Sequence, residues 1–72
     1  MLDEAVMQFY RKAKSGDVLN VKDAQGNDVV YEMKRGSYMN VAGQEEDPYV
    51  QMYLNSIDYA GQGHKFYPQR IK

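Results

Sequence analysis

Residues 47–60 read Asp47-Pro48-Tyr49-Val50-Gln51-Met52-Tyr53-Leu54-Asn55-Ser56-Ile57-Asp58-Tyr59-Ala60, and the fold class turns on whether they form a helix or a strand. Tyrosine and β-branched residues favour a strand. Against that, Asp47-Pro48 is a helix start: the aspartate accepts from unpaired amides, and proline suits the first helical position because its missing N–H has no partner there. Val50, Tyr53, Leu54, Ile57 and Ala60 then recur at helical spacing with poor alternation, and Gly61 follows as a stop. The reading is a helix over 48–60. Were it extended instead, the alternative fold would be a small β-barrel with an N-terminal helix.

Working outward, Leu2 to Ser15 predicts a first helix. Leu2, Ala5, Val6, Phe9 and Ala13 share one face, acids occupy the first turn, Arg11, Lys12 and Lys14 the last, and Gly16 follows. Asp17 to Lys34 predicts a β-hairpin. Leu19 and Val21 alternate with Asn20 and Lys22, and Val29, Tyr31 and Met33 with Val30, Glu32 and Lys34, around Asp23-Ala24-Gln25-Gly26, the pattern of a type I turn with a glycine bulge. Arg35-Gly36 predicts a turn, Ser37 to Val41 a third strand, and Gly61-Gln62-Gly63 a loop. Lys65 to Ile71 predicts a last strand, confined to a sheet edge by Pro68. The order predicts an α+β class: one small domain over 1–72 with an antiparallel sheet covered on one face.

Composition narrows the function classes. At 72 residues the core is small, and with no cysteine and one histidine neither a disulfide nor a structural zinc site supplements it. A partner or self-association is therefore the expected source of extra burial. No apolar run approaches the roughly 20 residues of a membrane span, and the N-terminus lacks a signal-peptide core. The expectation is a soluble cytoplasmic protein with no membrane partner, no metal and no cofactor.

The formal net charge of −1 hides a segregation. Between Gly36 and His64 there is no lysine or arginine, but there are Glu45, Glu46, Asp47 and Asp58, and also Tyr38, Tyr49, Tyr53 and Tyr59. The C-terminal segment from His64 reverses the sign with Lys65, Arg70 and Lys72 and no acid. No catalytic constellation is visible. His64 sits in a turn with no orienting acid or nucleophile in pattern. Glu45-Glu46-Asp47 lacks the alternation of a calcium loop, and Gly61-Gln62-Gly63 follows a helix rather than opening one. The reading is not an enzyme.

Three binding classes remain. The first is a protein-binding module. On the 48–60 helix Tyr49, Met52, Ser56 and Tyr59 form a second stripe beside the core stripe, and a helix apolar over most of its circumference is buried or bound. Tyrosine and methionine suit interfaces. Tyr38, Met39, Glu45 and Glu46 extend that face, its acids steering toward a basic or nucleic-acid-binding protein. A short chain of this kind resembles in type, not in sequence, small regulators and phage-encoded inhibitors acting in the host cytoplasm. The second class is a nucleic-acid-binding domain in which Phe66 and Tyr67 stack on bases while Lys65 and Arg70 meet phosphates. The third is a homo-oligomer whose self-interface is the second stripe. If the basic segment folds back on the acidic one, the segregation is internal complementarity instead.

Overall fold

A computed structural model describes residues 4–57 and 65–72 of the chain. In order these residues form α1 (Glu4–Lys12), β1 (Val18–Lys22), β2 (Asp28–Arg35), a 3₁₀ turn (Tyr38–Val41), α2 (Pro48–Ser56) and β3 (Phe66–Arg70). The architecture is the expected α+β class: an antiparallel sheet ordered β1-β2-β3 with helices packed on it. The sheet is open, which removes the barrel alternative.

The hairpin forms as its turn chemistry dictates. The Asp23 carboxylate accepts from the backbone N–H of Gln25 and Asn27, and the Gly26 N–H closes onto the Asp23 carbonyl. Gly26 takes φ +83°, a conformation that only glycine adopts cheaply. Alternation then sends Leu19, Val29, Tyr31 and Met33 to one face, where they meet Val6 and Tyr10 of α1, Val50 and Tyr53 of α2, and Val41 and Ile57. The opposite face keeps Asn20, Glu32 and Lys34 in or near water.

Residues 37–41 are not a strand. Ser37 caps the 3₁₀ turn by accepting the Met39 N–H, and its carbonyl accepts both the backbone and side-chain N–H of Asn40. Such local bonds compete with a ladder. A third strand would also find both sides of β2 taken along most of its length, because β1 pairs with one side and β3 with the other. Gly36 makes the reversal. It has φ +152°, and a Cβ there would lie 2.8 Å from the Tyr67 ring and 2.9 Å from Asn40 Nδ2.

Both helices are shorter than their periodicity predicts. α1 ends at Lys12 because Lys14 enters a turn instead: its N–H donates to the Asp17 carboxylate and its carbonyl accepts from the Asp17 N–H. α2 ends at Ser56, whose hydroxyl donates back to the Tyr53 carbonyl, and Ile57 turns extended while staying buried. The predicted ends at Leu2 and at Asp58–Ala60 lie outside the described residues, as does the Gly61–Gly63 loop. β3 occupies the sheet edge as its proline requires. Gly36 donates to the Lys65 carbonyl and Ile71 to the Val30 carbonyl, so by antiparallel alternation the Pro68 nitrogen, opposite Met33, faces away from β2.

Candidate functional site

Asp47 organises the acidic stretch. Its carboxylate accepts from the N–H of Tyr49 at 2.9 Å and of Val50 at 3.4 Å, which fixes the start of α2. It also accepts from the Tyr31 hydroxyl at 2.6 Å and lies 3.8 Å from the Arg70 guanidinium. One side chain thus joins α2, the centre of the sheet and the basic strand. Arg70 further donates from Nε to the Lys72 carbonyl.

Around this node the tyrosines form a buried set. Tyr10 donates to the Tyr49 carbonyl at 2.8 Å and Tyr53 to the Phe66 carbonyl at 2.6 Å. Tyr10 stands edge-on to Tyr53, their ring centroids 5.4 Å apart. Burial drives the phenol of Tyr10 far above its ordinary value and that of Tyr53 up to about 12. Tyr31 also rises, through burial first and then its bond to the Asp47 carboxylate. These hydroxyls are donors locked into structure, and none is poised as a base.

Two depressions flank α2, and they share no lining residue. A cleft of about 350 Å³ lies between α2 and the hairpin, and Tyr31, Asp47, Tyr49, Met52 and Arg70 are among the side chains lining it. Tyr49 is half-buried there, its ring 5.8 Å from that of Tyr31 and its hydroxyl donating to the Lys22 carbonyl at 2.9 Å. Met52 is half-buried as well. A groove of about 370 Å³ lies between the 3₁₀ turn and α2, lined by Tyr38, Met39, Val41, Ala42, Glu45 and Leu54. Met39 is 67% exposed, more than Ile71 at 55% or Val18 at 48%.

The residues singled out in the sequence therefore divide. Tyr38 and Glu45 meet in the groove, and Tyr49 and Met52 line the cleft instead. Glu46 is exposed, and Tyr59 lies outside the described residues, as does His64. The Glu45 carboxylate accepts from the Gly43 N–H at 2.7 Å, and its carbonyl accepts from the Gln51 side chain. In the basic segment Lys65 is exposed, whereas Phe66 and Tyr67 pack against the core. Sequence periodicity assigned Leu54 to the core stripe, yet it is half-buried and lines the groove. Met39 was only an extension of the patch, since a strand over 37–41 gave no reason to single it out; the serine-capped turn is what sends Val41 inward and leaves Met39 in water.

Among the described residues no cluster of three or more histidine, aspartate or glutamate side chains could hold a metal ion, and no helix is long and apolar enough to cross a membrane. Comparison of the chain with family models, curated proteins and solved structures finds no match.

Proposed function

We propose that this chain is a non-enzymatic protein-binding module that docks a partner protein through the groove between the 3₁₀ turn and α2. The observation that carries it is Met39, a large flexible apolar side chain 67% exposed beside Leu54, Tyr38 and Val41. Methionine adapts to irregular surfaces, and tyrosine gives rigid contact with a polar tip. Glu45 lines the groove and Glu46 follows it in sequence, and no lysine or arginine is among the lining residues, which gives the rim a negative sign. That rim steers toward a basic partner. The action belongs, in this reading, to a small regulator or inhibitor of the phage type working in the cytoplasm.

Tyr49 and Met52 line the separate cleft between α2 and the hairpin and are not the contact face of the groove, and the Tyr49 hydroxyl is committed to the Lys22 carbonyl. The nucleic-acid alternative has less support. Arg70 is drawn to Asp47, and the rings of Phe66 and Tyr67 pack against the core.

The test is affinity capture with the wild-type chain, Met39→Glu, Leu54→Lys and, as a control on the far sheet face, Val18→Ser. Circular dichroism checks each fold. A partner held by wild type and V18S and lost by M39E and L54K supports the groove. Equal capture by all four folded proteins sinks it. Binding of single- or double-stranded oligonucleotides at low salt would favour the alternative, because phosphate contacts are strongest there.

A further inference from the structure

With no cysteine and no tryptophan in the chain, its five methionine thioethers are the side chains most open to oxidation. Met1 lies outside the described residues, and the fold treats the other four unequally. Met33 is 1% exposed at the centre of the sheet, and Met7 is 6% exposed on α1. Met52 is half-buried and packs against the core. Met39 stands apart. At 67% exposed it belongs neither to the core cluster nor to the side chains packed on that cluster.

The turn that carries Met39 does not depend on its sulfur. The Met39 N–H donates to Ser37 Oγ at 3.1 Å, and its carbonyl accepts from the Ala42 N–H at 3.0 Å. The Ser37 carbonyl accepts from the Asn40 N–H at 3.0 Å, and Val41 anchors the turn in the core. Oxygen added to the Met39 sulfur breaks none of these bonds and sits in water. In Met7 or Met33 the same oxygen would enter a packed interior, so a peroxide reaches those sulfurs only when the fold opens.

We propose that Met39 is a reversible oxidation site, at which hydrogen peroxide turns the apolar lip of the groove polar while the domain stays folded. A sulfur lone pair attacks one peroxide oxygen and the O–O bond breaks. The departing hydroxide takes the proton of the transferred oxygen and leaves as water, so the thioether is oxidised to a sulfoxide by two electrons as the peroxide is reduced. A methionine sulfoxide reductase supplied with a dithiol reverses the step: the thioether returns, the dithiol becomes a disulfide and the oxygen leaves as water. The S=O dipole stands beside Val41, Ala42 and Leu54. A partner's apolar surface can cover it only by stripping its water, which weakens binding by about tenfold or more. That consequence rests on the docking reading of the groove, whereas the site of oxidation does not.

The folded chain is treated with hydrogen peroxide, and digestion with mass mapping locates the added oxygen. Met39 is expected to be oxidised while Met7 and Met33 remain thioethers, with far-UV circular dichroism unchanged. In concentrated urea the same methionines are expected to react alike. Heteronuclear NMR of the oxidised chain is expected to shift the amides of the 3₁₀ turn and of Leu54 and to leave those of the sheet in place. Oxygen that appears on Met7 or Met33 as fast as on Met39 overturns the site, and so does unfolding of a chain oxidised at Met39. For the groove, wild type and Met52→Leu are compared in affinity capture before treatment, after treatment with the peroxide removed, and after the reductase. Both are expected to hold their partner about tenfold or more weakly once oxidised and to recover it on reduction. Unchanged capture by a chain fully oxidised at Met39 overturns the switch, as does an M52L chain that keeps its partner where wild type loses it. A chain that captures nothing before treatment sinks the docking reading instead, and the mass map still decides the oxidation site.

Discussion

Replacing Asp47 by alanine tests how the acidic stretch is built. Three consequences follow from its contacts. The Tyr49 and Val50 N–H groups lose their cap, at about 1 kcal/mol. The Tyr31 hydroxyl, on a residue 1% exposed, loses its acceptor, at roughly 1–3 kcal/mol. The Arg70 pair adds under about 1 kcal/mol, since the ions are 3.8 Å apart and the arginine is half exposed. The sum is about 2–5 kcal/mol. At 72 residues the whole domain has roughly 4–11 kcal/mol, so D47A approaches the unfolding threshold, with Tm lower by about 8 °C or more.

Urea unfolding followed by far-UV circular dichroism measures this, with an unchanged slope showing that only stability moved. Asp47→Asn keeps a capping oxygen that can also accept from Tyr31, so it is expected to cost about 1 kcal/mol or less. The decisive comparison uses Tyr31→Phe as background. With no hydroxyl left to orphan, D47A then costs its cap and the weak Arg70 pair, and the two changes couple by about 1–3 kcal/mol. If D47A costs the same in both backgrounds within about 0.5 kcal/mol, the Asp47–Tyr31 bond contributes nothing and the central role given to Asp47 is wrong.

Two further outcomes follow from the packing. Gly36→Ala sets a Cβ 2.8 Å from the Tyr67 ring at φ +152°, so it is expected to cost about 1–3 kcal/mol in urea unfolding; a change within about 0.5 kcal/mol would show that the 35–37 reversal tolerates a side chain. The alkaline limb of stability should be steep. The phenols of Tyr10, Tyr31 and Tyr53 sit above their ordinary value near 10 in the fold. Their contribution is complete below pH 10 and is lost as pH rises from there toward the folded values, because the unfolded chain releases protons that the fold retains. Tyr10 alone removes about 1.4 kcal/mol per pH unit over that range. Tyrosinate absorbance and circular dichroism should therefore change together above pH 10; full ionisation of all the tyrosines with the fold intact would refute the buried set.

How much of this was legible in the sequence depends on how local each signal is. Asp47-Pro48, the Asp23–Gly26 turn and the alternation of Val29, Tyr31 and Met33 carry their structures within a few residues, and each appears as expected. The strand expected at Ser37–Val41 failed because β2 has only two sides, and pairing with β3 is decided by residues about thirty positions away, as Arg35 opposite Phe66 shows. The early end of α1 depends on a side-chain bond from Asp17, two residues beyond a pattern that periodicity alone continues. Within the second stripe on α2, Tyr49 and Met52 are half-buried, but their destination is not visible in the sequence. Tyr49 closes on the Lys22 carbonyl, a contact across 27 positions that no periodicity encodes.

The charge segregation changes meaning once these contacts are known. Asp47 is the acid that the basic segment reaches, and it does so through Arg70 as part of the fold. The same carboxylate already holds the start of α2 and Tyr31, so little of its charge is left for a partner. Glu45 is partly engaged with Gly43, which leaves Glu46 as the acid most open to water in that loop. Rim charges of this sort set approach rate more than affinity. In the proposed reading the binding energy of the groove must then come from apolar burial around Met39 and Leu54, at roughly 25 cal/mol per Å² covered. Charge draws the eye to this part of the sequence, but the residue that distinguishes it is an uncharged methionine lifted into water by a serine-capped turn.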